Sequence, residues 1–134
     1  MKKEHKEIIK LLSEYLSNHP DQRFGQALFN LRINEFDKST NTQMPNSIRD
    51  IHNDSDTDII IRIRKQLEWF DLQEKVNNGL SNIVGLQGMT VNERLFASGL
   101  METFEEMKNK NKEFARFILM ALKVDGKSIE KILK

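Results

Sequence analysis

Apolar residues recur along this chain at three- and four-residue steps, the spacing of a helix face rather than the alternation of a half-buried strand. Ile8, Ile9, Leu12, Tyr15 and Leu16 share one side of the first segment, among lysines and glutamates, and predict a helix over 2–18. Pro20 stops it, because the residue before a proline is driven out of the α region. Pro20 also suits the first position of a second helix, where no N–H is needed, and Asp21 then meets the positive end of that helix's dipole. Phe24, Ala27, Leu28 and Leu31 form its apolar stripe. Gly25 interrupts the stripe at a cost of about 1 kcal/mol relative to alanine, which predicts a close neighbour against its backbone.

Residues 37–58, DKSTNTQMPNSIRDIHNDSDTD, break the helical pattern. Turn formers dominate, with Pro45 in the middle, and predict a long acidic loop or hairpin-like excursion. In the next stretch Ile59, Ile61 and Ile63 fit a strand, while Ile60, Ile63, Leu67 and Phe70 fit a helix. The acidic, hydroxyl-rich entry is a helix start, and the pattern runs to Val76, so a helix is predicted. Residues 77–88 carry three glycines and no charge, and read as a Gly-rich linker. Thr90 and Glu93 then form a capping box ahead of a helix carrying Leu95, Phe96, Leu100, Phe104 and Met107. After a polar turn at 108–112, Phe114, Phe117, Ile118, Ala121 and Leu122 carry the next helix. Gly126 is its expected left-handed end, and Ser128 the cap of a short last one. The expectation is an all-α protein of five to six short helices in two small halves. An N-terminal module, 1–78, holds the acidic loop 37–58, and a C-terminal module spans 89–134.

At 134 residues the chain is long enough to bury a core. Its charges nearly cancel, 21 Lys and Arg against 20 Asp and Glu, which argues against a protein that coats nucleic acid but not against a local basic patch. The absence of cysteine excludes disulfides, thiolate catalysis and Cys-based zinc sites. No apolar run approaches the roughly 18 residues of a membrane-spanning helix, and the basic start reads as a helix rather than a signal peptide. A cytoplasmic protein without membrane contact is expected.

Candidate chemistry is thin. Asp54, Asp56 and Asp58 occupy positions one, three and five of a calcium loop, but Ile59 stands where glycine is needed and Lys65 where the closing glutamate belongs. His5, His19 and His52 form no ligand pair. Glu105 and Glu106 are helix neighbours and point apart. No phosphate loop or nucleophile elbow is present. No enzyme, metal or cofactor is therefore expected. The best polar cluster is Arg23 with Asp21 and Gln26. Arg23 either clamps the acidic loop through Asp50, Asp54 or Asp56, with Gln26 and Asn30 bonding loop backbone, or frames a partner-binding notch with the loop and Trp69. The basic runs Arg62, Arg64 and Lys65, and Lys108, Lys110, Lys112 and Arg116, either face solvent or meet phosphates.

Two stretches carry a resemblance. Pro20, Asp21, Arg23, Phe24, Gly25, Gln26 and Asn30, followed by the acidic segment, resemble a module of small uncharacterised bacterial and phage proteins. The aromatic usual in that acidic segment is replaced here by His52. MTVNERLFASGLM, 89–101, is similar to a second such set. The resemblance implies an all-helical build and a bacterial or phage origin. It suits a non-enzymatic accessory factor that binds and inhibits a host machine, of the anti-CRISPR or other anti-defence type. The alternatives are a toxin-neutralising immunity protein and a small RNA- or DNA-binding regulator. A protein partner, from host defence or a toxin system, is the expected one, with nucleic acid and a second copy of the chain left open.

Overall fold

A computed structural model describes residues 1–38 and 47–134; the middle of the acidic excursion, with Pro45, lies outside them. The described residues form seven α-helices and one short 3₁₀ turn, so the all-α expectation holds while the count of five to six does not. The chain divides into two compact units, residues 1–68 and 69–134.

In the first unit α1 spans Lys3–Asn18 and buries Leu11 and Tyr15. Its end is capped by His19, whose Nδ1 lies 2.9 Å from the Tyr15 carbonyl oxygen and whose ring stacks on Tyr15. Helix α2 spans only Phe24–Asn30. Pro20 does not open it. The Gln22 N–H reaches the His19 carbonyl, so Pro20 and Asp21 form the corner of a β-turn, a role that a fixed φ fills equally well. The helix starts one step beyond Arg23, whose N–H donates to the Gln26 side chain. Ala27 and Leu31 are fully buried, but among the described residues nothing approaches Gly25, and the close neighbour expected there is not found among them. Its N2 position, in the first turn of a short helix, is one where glycine is tolerated without a packing reason.

Helix α2 ends in a Schellman motif. Ile33 N–H returns to Leu28 and Arg32 N–H to Phe29, with Arg32 in the left-handed region at φ 61. The excursion then opens as a β-ribbon base, where Phe36 and Ile48 face each other across an antiparallel bridge. Helix α3, Asp56–Leu80, begins as its acidic entry predicts, with Ser55 Oγ accepting from the Asp58 N–H. Ile63 is its fully buried contribution to the first unit.

The second unit has its own core. Leu72 and Val76 of α3 join Leu95, Phe104, Ile118, Leu119, Leu122 and Ile129. The Gly-rich linker is not found. Residues 77–80 finish α3, and Leu86–Gly88 form the 3₁₀ turn. Gly79 is required for packing: a Cβ there would lie 2.6 Å from the Ser98 carbonyl oxygen. Helix α4, Val91–Ser98, is capped by Thr90 Oγ1, which accepts from the Glu93 N–H. The single helix expected beyond it is two helices. Gly99 turns left-handed at φ 72, the N–H of Leu100 returns to Leu95, and α5 runs Met101–Lys110. The polar turn expected at 108–112 reduces to Asn111, whose side chain caps α6, Lys112–Ala121. Helix α6 ends on Lys123 at φ 62, not on Gly126, which is the first residue of α7, Gly126–Ile132. Asp125, rather than Ser128, is the cap of α7. Among the described residues no helix is long and apolar enough to cross a membrane.

Candidate functional site

The polar centre of the first unit is built on the ribbon base. In the Phe36–Ile48 pair, Asp37 N–H bonds the Ser47 carbonyl and Arg49 N–H bonds the Glu35 carbonyl. That pattern defines a pair whose own backbone groups point outward and whose side chains lie close together on one face. Strand alternation sends the flanking Glu35 and Arg49 to the opposite face.

There they enter a clamp of three arginines and two carboxylates. Arg49 grips Asp54 with both terminal nitrogens, at 2.9 and 2.6 Å, and reaches Glu35 with Nε at 3.2 Å. Arg62 of α3 donates to Asp54 at 2.8 Å and to the backbone carbonyls of Arg32 and Ile33 at 2.9 and 3.1 Å. Arg32 completes the ring at Glu35, 2.8 Å away. The left-handed turn at Arg32 exposes those two carbonyls at the end of α2, where a cation is favoured by the helix dipole. Glu35, Asp54 and Arg62 side chains are only 14%, 16% and 16% exposed.

The electrostatics follow from this geometry. The hydrogen bonds from Arg49 lead the causes that hold Asp54 down at about 2, against the opposing effect of partial burial and with help from Arg62. Burial pushes Glu35 up, but the Arg32 hydrogen bond and the charges of Arg62 and Arg32 outweigh it, and the carboxyl sits below its ordinary value. Arg49 is raised by its bonds to Asp54. Carboxylates so saturated are poor proton acceptors near neutrality, and the clamp acts as a brace. It fixes the ribbon base to the end of α2 and the start of α3. On the other face it leaves Phe36 and Ile48 55% and 61% exposed, with Phe29 stacked on Phe36 at 5.0 Å.

The residues singled out from sequence are distributed differently from expectation. Arg23 is exposed and, among the described residues, pairs with no carboxylate of the loop; Arg49 and Arg62 take that role. Gln26 bonds the Arg23 backbone, and Asn30 donates to Gln22, which also accepts from Tyr15; among the described residues neither binds loop backbone. Trp69 belongs to the second unit, packed on Phe114 and Phe117 at 5.4 and 4.7 Å. Arg62 is consumed in the clamp, Arg64 pairs with Glu7, and Lys65 is exposed. Lys110 pairs with Glu106 and Arg116 with Glu130, while Lys108 is half-buried and Lys112 exposed. Of the acids in the calcium-like spacing, Asp54 is held by two arginines and Asp56 lies 3.0 Å from His5.

Sequence reasoning missed Glu35, Arg49, Phe36 and Ile48. The available signal was short: an acid–apolar pair just before the excursion and an apolar–base pair in the middle of it, the alternation of two facing strand ends. Comparison with known protein families, characterised proteins and solved structures finds no match.

Proposed function

We propose that the chain is a non-enzymatic protein-binding module whose first unit presents Phe36 and Ile48 to a partner. One observation carries this reading: two large apolar side chains are more than half exposed side by side on a ribbon base that the clamp holds in place. Adjacent apolar groups in water favour a partner that covers them. Groups already fixed in position lose little entropy on being covered. The resemblance of residues 15–30 and 89–101 to small bacterial and phage proteins suggests the kind of partner. It is a component of a host defence system, inhibited by occupancy in the anti-CRISPR or wider anti-defence manner. The test uses the double variant Phe36→Ser with Ile48→Ser, which removes the patch without touching a buried residue. A partner isolated on the parent protein from bacterial lysate and purified should bind the parent in calorimetry with a negative heat-capacity change. The variant should still melt cooperatively, a few degrees lower at most through the lost Phe29–Phe36 stacking, and lose at least tenfold in affinity. Equal binding by parent and variant would reject this surface.

A further inference from the structure

The second unit carries a charged surface that the Phe36–Ile48 reading does not use. Residues 108–131 hold seven basic side chains against three carboxylates, in a chain whose net charge is +1, so all other residues together are net −3. The three carboxylates reduce this to a net +4 and do not cancel it. Asp125 is committed to capping α7, bonded to Ser128 N–H and Oγ, and Glu130 is paired with Arg116. Only Glu113, exposed in the first turn of α6, is otherwise uncommitted among them.

Lys108 and Lys110 lie on α5, the latter paired with Glu106, and helical spacing sorts the basic residues of α6 and α7 onto one face. On α6, Ala115, Ile118 and Leu119 point into the core, and Phe114 and Phe117 lie toward Trp69. Lys112, Arg116 and Met120 follow at four-residue steps on the opposite flank. On α7, Ile129 is buried, while Lys127 and Lys131, one turn apart, are exposed. The Arg116–Glu130 pair joins the two helices along this flank. It brings the α6 stripe beside the α7 stripe, with exposed Lys123 at the connection. Among the described residues Lys112, Lys123, Lys127 and Lys131 are exposed and form no ion pair with a carboxylate, so the two stripes and their connection present four ammonium groups, with Glu113 and Asp125 as exposed acids near them in sequence.

We propose that this face of α6 and α7 binds the phosphate backbone of a nucleic acid, without regard to base sequence. Charge complementarity selects a polyanion. The make-up of the surface selects phosphates over an acidic protein: a stable protein interface needs a desolvated apolar or aromatic anchor, and the stripe offers only Met120. Successive ammonium groups one helical turn apart, with flexible stems, suit a row of evenly spaced point charges. No aromatic side chain or planar guanidinium fork is free on the stripe to read bases, hence the lack of sequence preference.

The experiment measures fluorescence anisotropy of a short labelled DNA duplex and a labelled single strand of mixed sequence, from low to physiological salt. The parent should bind, with log affinity falling linearly in log salt. The triple variant Lys112→Gln, Lys127→Gln, Lys131→Gln should bind at least tenfold more weakly. Its salt slope on duplex should be shallower by about 3, since each neutralised phosphate contributes about 0.9. The triple Lys→Arg variant should retain binding. If the Gln variant fails to fold, lysine acetylation of the parent supplies the answer: duplex should protect Lys112, Lys127 and Lys131 and leave Lys65 reactive. Absence of binding at low salt, an unchanged slope in a folded Gln variant, or no protection would overturn the proposal. So would polyglutamate binding in preference to both nucleic acids, which would assign the face to an acidic polypeptide. The Phe36→Ser, Ile48→Ser variant should bind the duplex as the parent does.

Discussion

Gly79 and Gly25 both sit inside helices, yet substitution at each is expected to act with opposite sign. A Cβ on Gly79 would press on the Ser98 carbonyl oxygen at 2.6 Å, a backbone atom that cannot turn aside. Gly79→Ala should therefore destabilise by roughly 1–3 kcal/mol, the usual range for overpacking. A Cβ on Gly25 would meet nothing within 4 Å among the described residues, so Gly25→Ala should stabilise, by up to about 1 kcal/mol. Chemical denaturation of the two variants checks both signs. Sequence placed the packing glycine at residue 25 because a glycine inside an apolar stripe invites that reading. The approach of Ser98 to Gly79 joins positions nineteen apart and leaves no local trace. Asp54 is legible in the same partial way. Its acid character marked the segment, but its arginine partners come from Arg49 and Arg62, and the arginine nearest in motif, Arg23, is not one of them. Because the folded pKa of Asp54 lies at about 2, below the usual value near 3.9, its ionised form stabilises the fold above about pH 4. That contribution is lost as pH falls toward 2. Asp54→Asn should lower the melting temperature at pH 7 and lower it much less at pH 2. An equal drop at both values would contradict the clamp.

Helix ends, rather than helix faces, are where the elements depart from expectation. Three helices finish in the same way, with a left-handed residue at Arg32, Gly99 or Lys123. Only one of these is glycine. In the first unit Arg62 donates to the carbonyls of Arg32 and Ile33. In the second, Arg94 donates to those of Leu122 and Lys123. Each unit thus closes a helix end with a guanidinium from another helix, which satisfies carbonyls that the left-handed turn leaves without intrahelical partners. The left-handed conformation costs a non-glycine residue about 1 kcal/mol or more. Exposed Lys123 has no carboxylate partner among the described residues to offset this, so Lys123→Gly should raise the melting temperature by a few degrees. Arg94→Ala should lower it and leave helix content by circular dichroism nearly intact. Arginine contacts of this kind are invisible in a single sequence, because any basic residue within reach satisfies the same pattern.

At the scale of the whole molecule, the core of the second unit draws on α3. Leu72 and Val76 are buried in it beside residues from 95 to 133. Residues 89–134 lack that helix, and expressed alone they should be poorly folded or self-associating, because losing even one such leucine costs roughly 2–5 kcal/mol. Residues 69–134 retain every buried member of this core and should unfold cooperatively as a monomer. Analytical ultracentrifugation with thermal melts of both fragments distinguishes them, and a sharp monomeric melt of 89–134 would contradict the role given to α3. Of the four phenylalanines placed on the apolar stripes beyond Thr90, Phe104 is buried and Phe114 and Phe117 pack within the unit, but Phe96 is 81% exposed. The helical class, the approximate helix positions and the caps at Thr90 and before Asp56 follow from sequence alone. They depend on residues three or four apart, and that spacing is preserved wherever the chain goes. Which arginine meets Asp54, which glycine is squeezed, where α4 gives way to α5 and which lysines share a face depend on contacts between distant residues. Many pairings of similar charge and size satisfy one sequence equally well, and only tertiary packing, which must fill volume and satisfy buried polar groups together, selects among them.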